Sequence, residues 1–356
     1  MILSTDSGRY ALACTLKLQP GVVTATSDTG IYATEIVGST EAVREGSPAP
    51  TSPATSYGQF TGRVSMLGIH YTWGAALTGS TAANAGIFQK GIGSSAVLVA
   101  QRDSPAIGIP GTPQPKLSSF IGETQDAAES VLYRATIVGT AITTANNEGL
   151  WTRTTGNTTA LQLRKGQAIP AFTGVSIAKI IHFWPSGFFA NHVVALVQLR
   201  GTGVTTANDL AVVLAQSGGT LLVLMREGEP ATGCTPATIG SISRVEVAGF
   251  PASYAILATL AGAPTGTEQA LFTGNTLRGD NTTLGTLRRP FLRLRKGQLC
   301  DNQPGKVKSI SLPTSNITPG GAGATGRGRA ISWEGDFAIT VEFENGVREL
   351  MKGVID

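Results

Sequence analysis

The side chains best equipped for chemistry cluster at the start of apolar segments: Arg9 and Tyr10, His70 and Tyr71, Tyr133 and Arg134, His192, Tyr254 and Trp333. Aromatic residues make up only 6% of the chain, so their concentration there is informative. Together they offer stacking faces, hydroxyl and imidazole hydrogen bonds and guanidinium forks, which is equipment for holding a sugar or a peptide. The plainer reading is that they fill space between packed segments. His70 and His192 lie two repeats apart, and two histidines without a third ligand do not make a metal site. We therefore expect no metal and no cofactor.

Other residue sets are read as architecture. Arg44, Arg102, Arg164, Arg226 and Arg295 recur at the ends of apolar stretches. Arginine can fork onto carboxylates or sugar hydroxyls, but a residue recurring from blade to blade is expected to be blade architecture, for example a bridge to a carboxylate or carbonyl of the neighbouring blade. The sixth copy has Met351 there. Asn84, Asn146, Asn147, Asn208 and Asp209 sit in Thr/Asn-rich loops. Calcium wants six to eight oxygens with several carboxylates, so turn-forming roles are expected of these residues instead. His182, Phe183, Trp184, Phe188 and Phe189 form an aromatic patch, read as packing or a contact surface. Arg288, Arg289, Arg293, Arg295 and Lys296 read as a solvated strand face.

Several function classes find no support. The chain has no Gly-x-Ser-x-Gly elbow, phosphate loop or dinucleotide fingerprint. No carboxylate pair recurs in a glycosidase arrangement; Glu334 and Asp336 flank a tight turn. A net charge of +4, well dispersed, does not argue for nucleic acid. No run of about 18 apolar residues suggests membrane insertion, and MILSTDSGRYALACTL lacks the basic opening of a signal peptide. Cys14, Cys234 and Cys300 fit no zinc spacing. Cys14 is expected to be a buried small hydrophobe. Cys234 and Cys300 fall in similar loops, which two separate loops rarely bring within disulfide reach.

The elements that must position these residues are strands. The chain is 41% hydrophobic, 14% charged and rich in glycine, and it lacks helical runs of Glu, Lys and Leu. A strand-end punctuation recurs about every 60 residues, at Gly46, Ser104, Gly166, Gly228, Gly297 and Gly353. Each repeat reads as four short strands with turns between them and a Pro-rich loop before the fourth. The fold expected is all-β: a six-bladed β-propeller of four-stranded antiparallel blades in a single domain. The blades are approximately residues 8–67, 68–122, 130–184, 191–248, 253–313 and 328–356. The last copy lacks a fourth strand, and residues 1–5 are expected to supply it, closing the ring. The first strand of each repeat would then line a central channel. Its mouth would carry Arg9, Tyr10, His70, Tyr71, Tyr133, Arg134, His192, Tyr254 and Trp333, with carbohydrate or protein as candidate ligands.

At these repeat residues the chain resembles a bacterial tandem-repeat family. Its units carry an Asn-x-x-Gly-x-x-Ala-Phe signature and an "REGDPAPG"-like strand end. The matching stretches are Arg44-Glu45-Gly46-Ser47-Pro48-Ala49-Pro50, Arg226-Glu227-Gly228-Glu229-Pro230, Asn208-Asp209-Leu210-Ala211 and Asp6-Ser7-Gly8-Arg9-Tyr10-Ala11. The resemblance implies a secreted or cell-surface protein and brings no catalytic residues. The function expected is a noncatalytic extracellular binding or scaffolding module. The alternatives are a carbohydrate-active enzyme at the channel mouth and a self-associating adhesion module.

Overall fold

The computed structural model describes residues 2–6, 9–34, 39–51, 54–79, 81–126, 128–186, 192–216, 221–248, 253–276, 290–300, 305–312, 331 and 336–354. Among these the regular structure is all strand. Two compact units are present: residues 1–164 with 319–327, and residues 165–318 with 328–356.

The first unit holds three antiparallel sheets. The first is β1 (Ile2–Asp6), β2 (Arg9–Thr15), β3 (Thr29–Thr34) and β4 (Ser39–Arg44). The second is β5 (Pro48–Ala49), β6 (Thr55–Leu67), β7 (His70–Thr78), β8 (Ala85–Gly91) and β9 (Val97–Gln101). The third is β10 (Lys116–Gln125), β11 (Val131–Val138), β12 (Glu148–Arg153) and β13 (Thr159–Arg164). The second unit also holds three. They are β14 (Val175–Pro185) to β17 (Leu221–Arg226) through β15 (Val193–Gly201) and β16 (Leu210–Ala215); β18 (Thr238–Val247) to β21 (Phe291–Arg295) through β19 (Ser253–Ala261) and β20 (Gln269–Asn275); and β22 (Val307–Ser311), β23 (Asp336–Phe343) and β24 (Arg348–Val354).

This arrangement overturns the closed six-bladed propeller. The N-terminal strand does not complete the last sheet. It pairs with β2 in the first sheet, from Ile2 opposite Ala13 to Asp6 opposite Arg9. The last sheet is β22–β23–β24 alone. The strand read as the fourth of each repeat instead opens the next sheet. Leu67 faces His70 across a two-residue turn at Gly68, which takes a φ of 63°, and such a turn forces its flanking strands to pair with each other. The Pro-rich loop is the crossover. At its start, Gly46 N–H donates to Tyr57 O, Asp103 N–H to Leu117 O, Gly166 N–H to Ile177 O, Gly228 N–H to Ile239 O and Gly297 N–H to Val307 O. Within each unit the punctuation therefore ties a sheet to the first strand of its successor.

Two details refine the repeat. In the second sheet the punctuation residue is Asp103, with a φ of 70°, and not Ser104. Gly353 makes no such turn; it lies within β24 opposite Phe337. The opening strands are also bent. β10, β14 and β18 each carry two register shifts at matching places, such as Ile239/Ser241 and Ile242/Arg244 in β18. Bulges of this kind add twist and break the two-residue alternation.

Each core lies between successive sheets. In the first unit Ile31 and Ala33 pack with Tyr57, Trp73 and Phe88, and Ile87, Leu117, Tyr133 and Trp151 form the next layer. In the second unit Leu257 and Leu271 join Val307, Val341 and Phe343. Several buried rings lie over glycines: a Cβ on Gly149 would meet Trp151 at 2.6 Å, and one on Gly86 would meet Phe88 at 2.8 Å.

Candidate functional site

In the first unit three turns surround an open cleft of about 350 Å³. The β8–β9 turn contributes Gly91, Ser94, Ser95 and, just beyond, Val97. Ser94 closes this turn by accepting from Gly91 N–H at 2.9 Å while donating to Gly91 O at 2.8 Å. The β12–β13 turn contributes Arg153, Thr154, Thr155 and Asn157. It is closed by Asn157 N–H to Thr154 O at 2.9 Å, with Asn157 at a φ of 62°. The β10–β11 turn contributes Glu129, a non-glycine residue at a φ of 63°. A carboxylate held in a strained backbone position beside a cleft is a common mark of a working surface.

The polar groups of the cleft are cross-linked. His70 Nδ1 lies 2.9 Å from Glu129 Oε1. Gln89 Nε2 donates to Glu129 O at 2.7 Å, and Gln125 Nε2 to His70 O at 2.5 Å. Arg153 donates to Leu98 O and, at 2.7 Å, to Asn157 Oδ1. Both acceptors are neutral, and among the described residues Arg153 has no carboxylate partner. Burial pulls its guanidinium below the ordinary arginine range; the nearby Tyr133 opposes this. Behind the wall, Asp126 is buried at 2% exposure and accepts from Ser130 N–H at 2.8 Å. Burial raises its carboxyl from 3.8 to about 7, against the Ser130 hydrogen bonds and with a small addition from Glu129.

The residues expected at a channel mouth do not assemble there. Strands β2, β7, β11, β15 and β19 are each interior to their sheet, paired on both edges, so they cannot be inner edges around a channel. Of the set, His70 alone lines the cleft. Tyr71 is buried and stacks on Trp73 at 5.7 Å. Tyr133 is buried and stacks on Trp151 at 5.7 Å. Arg134 is buried beside Glu148 at 2.9 Å. Tyr254 is buried with its ring over Gly274; burial raises the hydroxyls of both Tyr133 and Tyr254 above their usual range. Tyr10 is half-buried, and its N–H donates to Thr34 Oγ1 at 3.0 Å. His192 precedes β15, with Nε2 3.4 Å from Gln216 Nε2. Arg9 lies in β2 opposite Asp6. Trp333 lies outside the described residues.

In their described hydrogen bonds the recurring arginines do not bridge to a neighbouring sheet; they brace loops of their own. Arg44, Arg164, Arg226 and Arg295 each donate from Nε to a carbonyl of the β-hairpin loop within their own sheet: Ser27, Asn146, Asn208 and Thr267. In the second sheet Gln101 does this, onto Ala83 O, while Arg102 reaches Asn84 Oδ1. Asn146 and Asn208 shape their loops by accepting from Thr143 and Thr205 N–H at 2.8 Å. Asp209 Oδ2 accepts from Gln198 Nε2 at 2.8 Å. Among the described residues no three His, Cys, Asp or Glu side chains gather as a metal site. Among the described residues no disulfide joins the cysteines; Cys14 is half-buried and Cys234 fully buried. Phe183 and Trp184 are buried, and His182 sits 5.9 Å from the Trp184 ring; Phe188 and Phe189 lie outside the described residues. Lys296 pairs with Glu268; Arg288 and Arg289 are outside the described residues.

Sequence reasoning missed Gln89, Glu129, Arg153 and Asn157. None of them recurs between repeats, and a search for repeated positions is blind to a site built from the exceptions. The one usable signal was Gly156-Asn157, a turn dipeptide next to the unmatched Arg153.

A model of a family of unknown function, DUF7453, matches residues 3–344, and the chain belongs to that family. No curated protein matches it.

Proposed function

We propose that this member of the DUF7453 family is a noncatalytic binding module whose ligand occupies the cleft between the β8–β9, β10–β11 and β12–β13 turns. The observation that carries the reading is the cleft's composition. Its walls offer His70, Gln89, Glu129, Arg153 and Asn157 with several hydroxyls, over a floor that includes Val99 and Val131. Few convergent polar groups over an apolar base are the ordinary make-up of a small-molecule pocket. Among the described residues Glu129 is the single carboxylate lining it, whereas glycoside hydrolysis uses two facing carboxyl groups. The extracellular or cell-surface setting rests on the resemblance of the repeats.

The test is a screen of the full chain against glycans and peptides, repeated with Val97→Trp. Val97 is 48% exposed on the cleft wall, so an indole there fills the cleft without entering the core. Ligands retained by the native chain should be lost by the variant and recovered chemically intact. Binding indifferent to Val97→Trp, or conversion of the ligand to product, would sink the reading.

A further inference from the structure

We infer that the ligand of this cleft is an acidic saccharide, its carboxylate seated on Arg153 and its hydroxyls on the surrounding turns. The inference rests on the binding-module reading above and adds the chemical class.

Three observations converge. First, Arg153 uses its NH1 and NH2 nitrogens on neutral acceptors, the Leu98 carbonyl and the Asn157 amide oxygen. Three of its five N–H donors remain, and its charge meets no carboxylate among the described residues. A half-buried guanidinium in that state favours an incoming anion. It is also pre-positioned, because the contact to Leu98 on β9 and the contact to Asn157 on its own turn fix the plane of the fork.

Second, the opposite side of the cleft carries the reverse polarity. Glu129 Oε1 lies 2.9 Å from His70 Nδ1, and Gln89 Nε2 donates to the Glu129 carbonyl at 2.7 Å. A carboxylate on this side accepts hydrogen bonds from hydroxyls and repels a second anion, so it orients a ligand whose charge lies at one end only.

Third, the remaining polar lining includes Ser94, Ser95, Thr154, Thr155 and the Gln89 amide, and among the described residues no Phe, Tyr or Trp lines the cleft. Hydroxyl and amide groups match the hydroxyls of a sugar. The lack of a stacking ring in the lining disfavours neutral sugars, whose affinity depends heavily on such faces. The volume of about 350 Å³ accommodates one or two sugar rings.

The experiment uses the full chain and two single-ring probes, galacturonic acid and neutral galactose, with affinity measured by titration calorimetry. The decisive variant is Asn157→Asp. Asp tolerates the left-handed backbone of this exposed turn as Asn does, and it places a carboxylate on Arg153, stabilising the fold while competing with the ligand. Native protein should prefer the acid by about tenfold or more, and Asn157→Asp should weaken the acid by about the same factor. Arg153→Gln should do likewise, with thermal unfolding checked because it also removes the tie to Leu98. Equal binding of both probes, unaffected by Asn157→Asp but lost in Val97→Trp, overturns the acidic class and leaves the cleft reading standing. Acid binding that ignores Val97→Trp overturns both. Failure of the acid to bind overturns the acidic-saccharide inference.

Discussion

Arg134 Nε donates to Glu148 Oε1 at 2.9 Å across β11 and β12, with side chains only 5% and 11% exposed. Two opposite charges held out of water are costly to separate and less costly to remove together, because a lone buried charge keeps its desolvation penalty. Arg134→Met or Glu148→Leu alone should each destabilise the protein by about 3–5 kcal/mol, and the double variant should recover most of that loss. Urea unfolding of the native chain, both single variants and the double variant measures the coupling. Additive losses would show that the pair acts through water rather than through burial.

Asp126 makes stability depend on pH in a predictable direction. Its carboxyl is raised from 3.8 to about 7, chiefly by burial, so the native state holds a proton that the unfolded chain has released. Between about pH 4 and about pH 7 stability from this group is therefore lost as pH rises. The full difference is on the order of 4 kcal/mol. Asp126→Asn keeps an oxygen acceptor for Ser130 N–H and cannot ionise. It should match the native chain in acid and exceed its stability above about pH 7. Parallel unfolding curves for the two proteins across that window would overturn the prediction. Glu129 leaves the same turn and lines the cleft, so the loosening on ionisation falls beside the cleft.

The strands were legible because apolar runs between glycine and proline signals carry their own pattern; even β1 and β24, at the chain's ends, were anticipated as strands. Their partners were not. Periodicity says which residues alternate, not which of two neighbours a strand joins, and the repeat frame cut each hairpin at Gly68 and its equivalents. A two-residue turn there was the stronger signal, and a Pro-rich stretch such as Pro48–Pro53 reads more naturally as a crossover. The bulges were hidden for a related reason: Ile242 to Arg244 breaks alternation just where the strand bends. The site was hidden because Tyr71, Tyr133 and Tyr254, conspicuous in sequence, went into the core, while the cleft was built from single-copy residues such as Arg153 and Glu129.

Asp103 and Gly228 test the repeat at the level of the backbone. Both adopt a left-handed conformation, with φ of 70° and 80°, and both donate N–H to the next sheet's first strand at 2.8 Å. Asp pays for that conformation and glycine does not. Asp103 has one compensation, an ion pair to Lys116 at 3.0 Å between exposed side chains, worth 0–1 kcal/mol and weakened by salt. Asp103→Gly should therefore be near neutral at low salt and stabilising by about 0.5–1 kcal/mol at high salt. The reverse change should be much worse. A Cβ on Gly228 would sit 3.0 Å from the Asn208 Cβ, and Asn208 both shapes its loop and accepts from Arg226 Nε at 3.0 Å. Gly228→Ala should cost about 2–3 kcal/mol, combining backbone strain with displacement of that loop. Chemical unfolding at two salt concentrations separates the cases. If Gly228→Ala proved as mild as Asp103→Gly, the left-handed turn would not be what joins one sheet to the next.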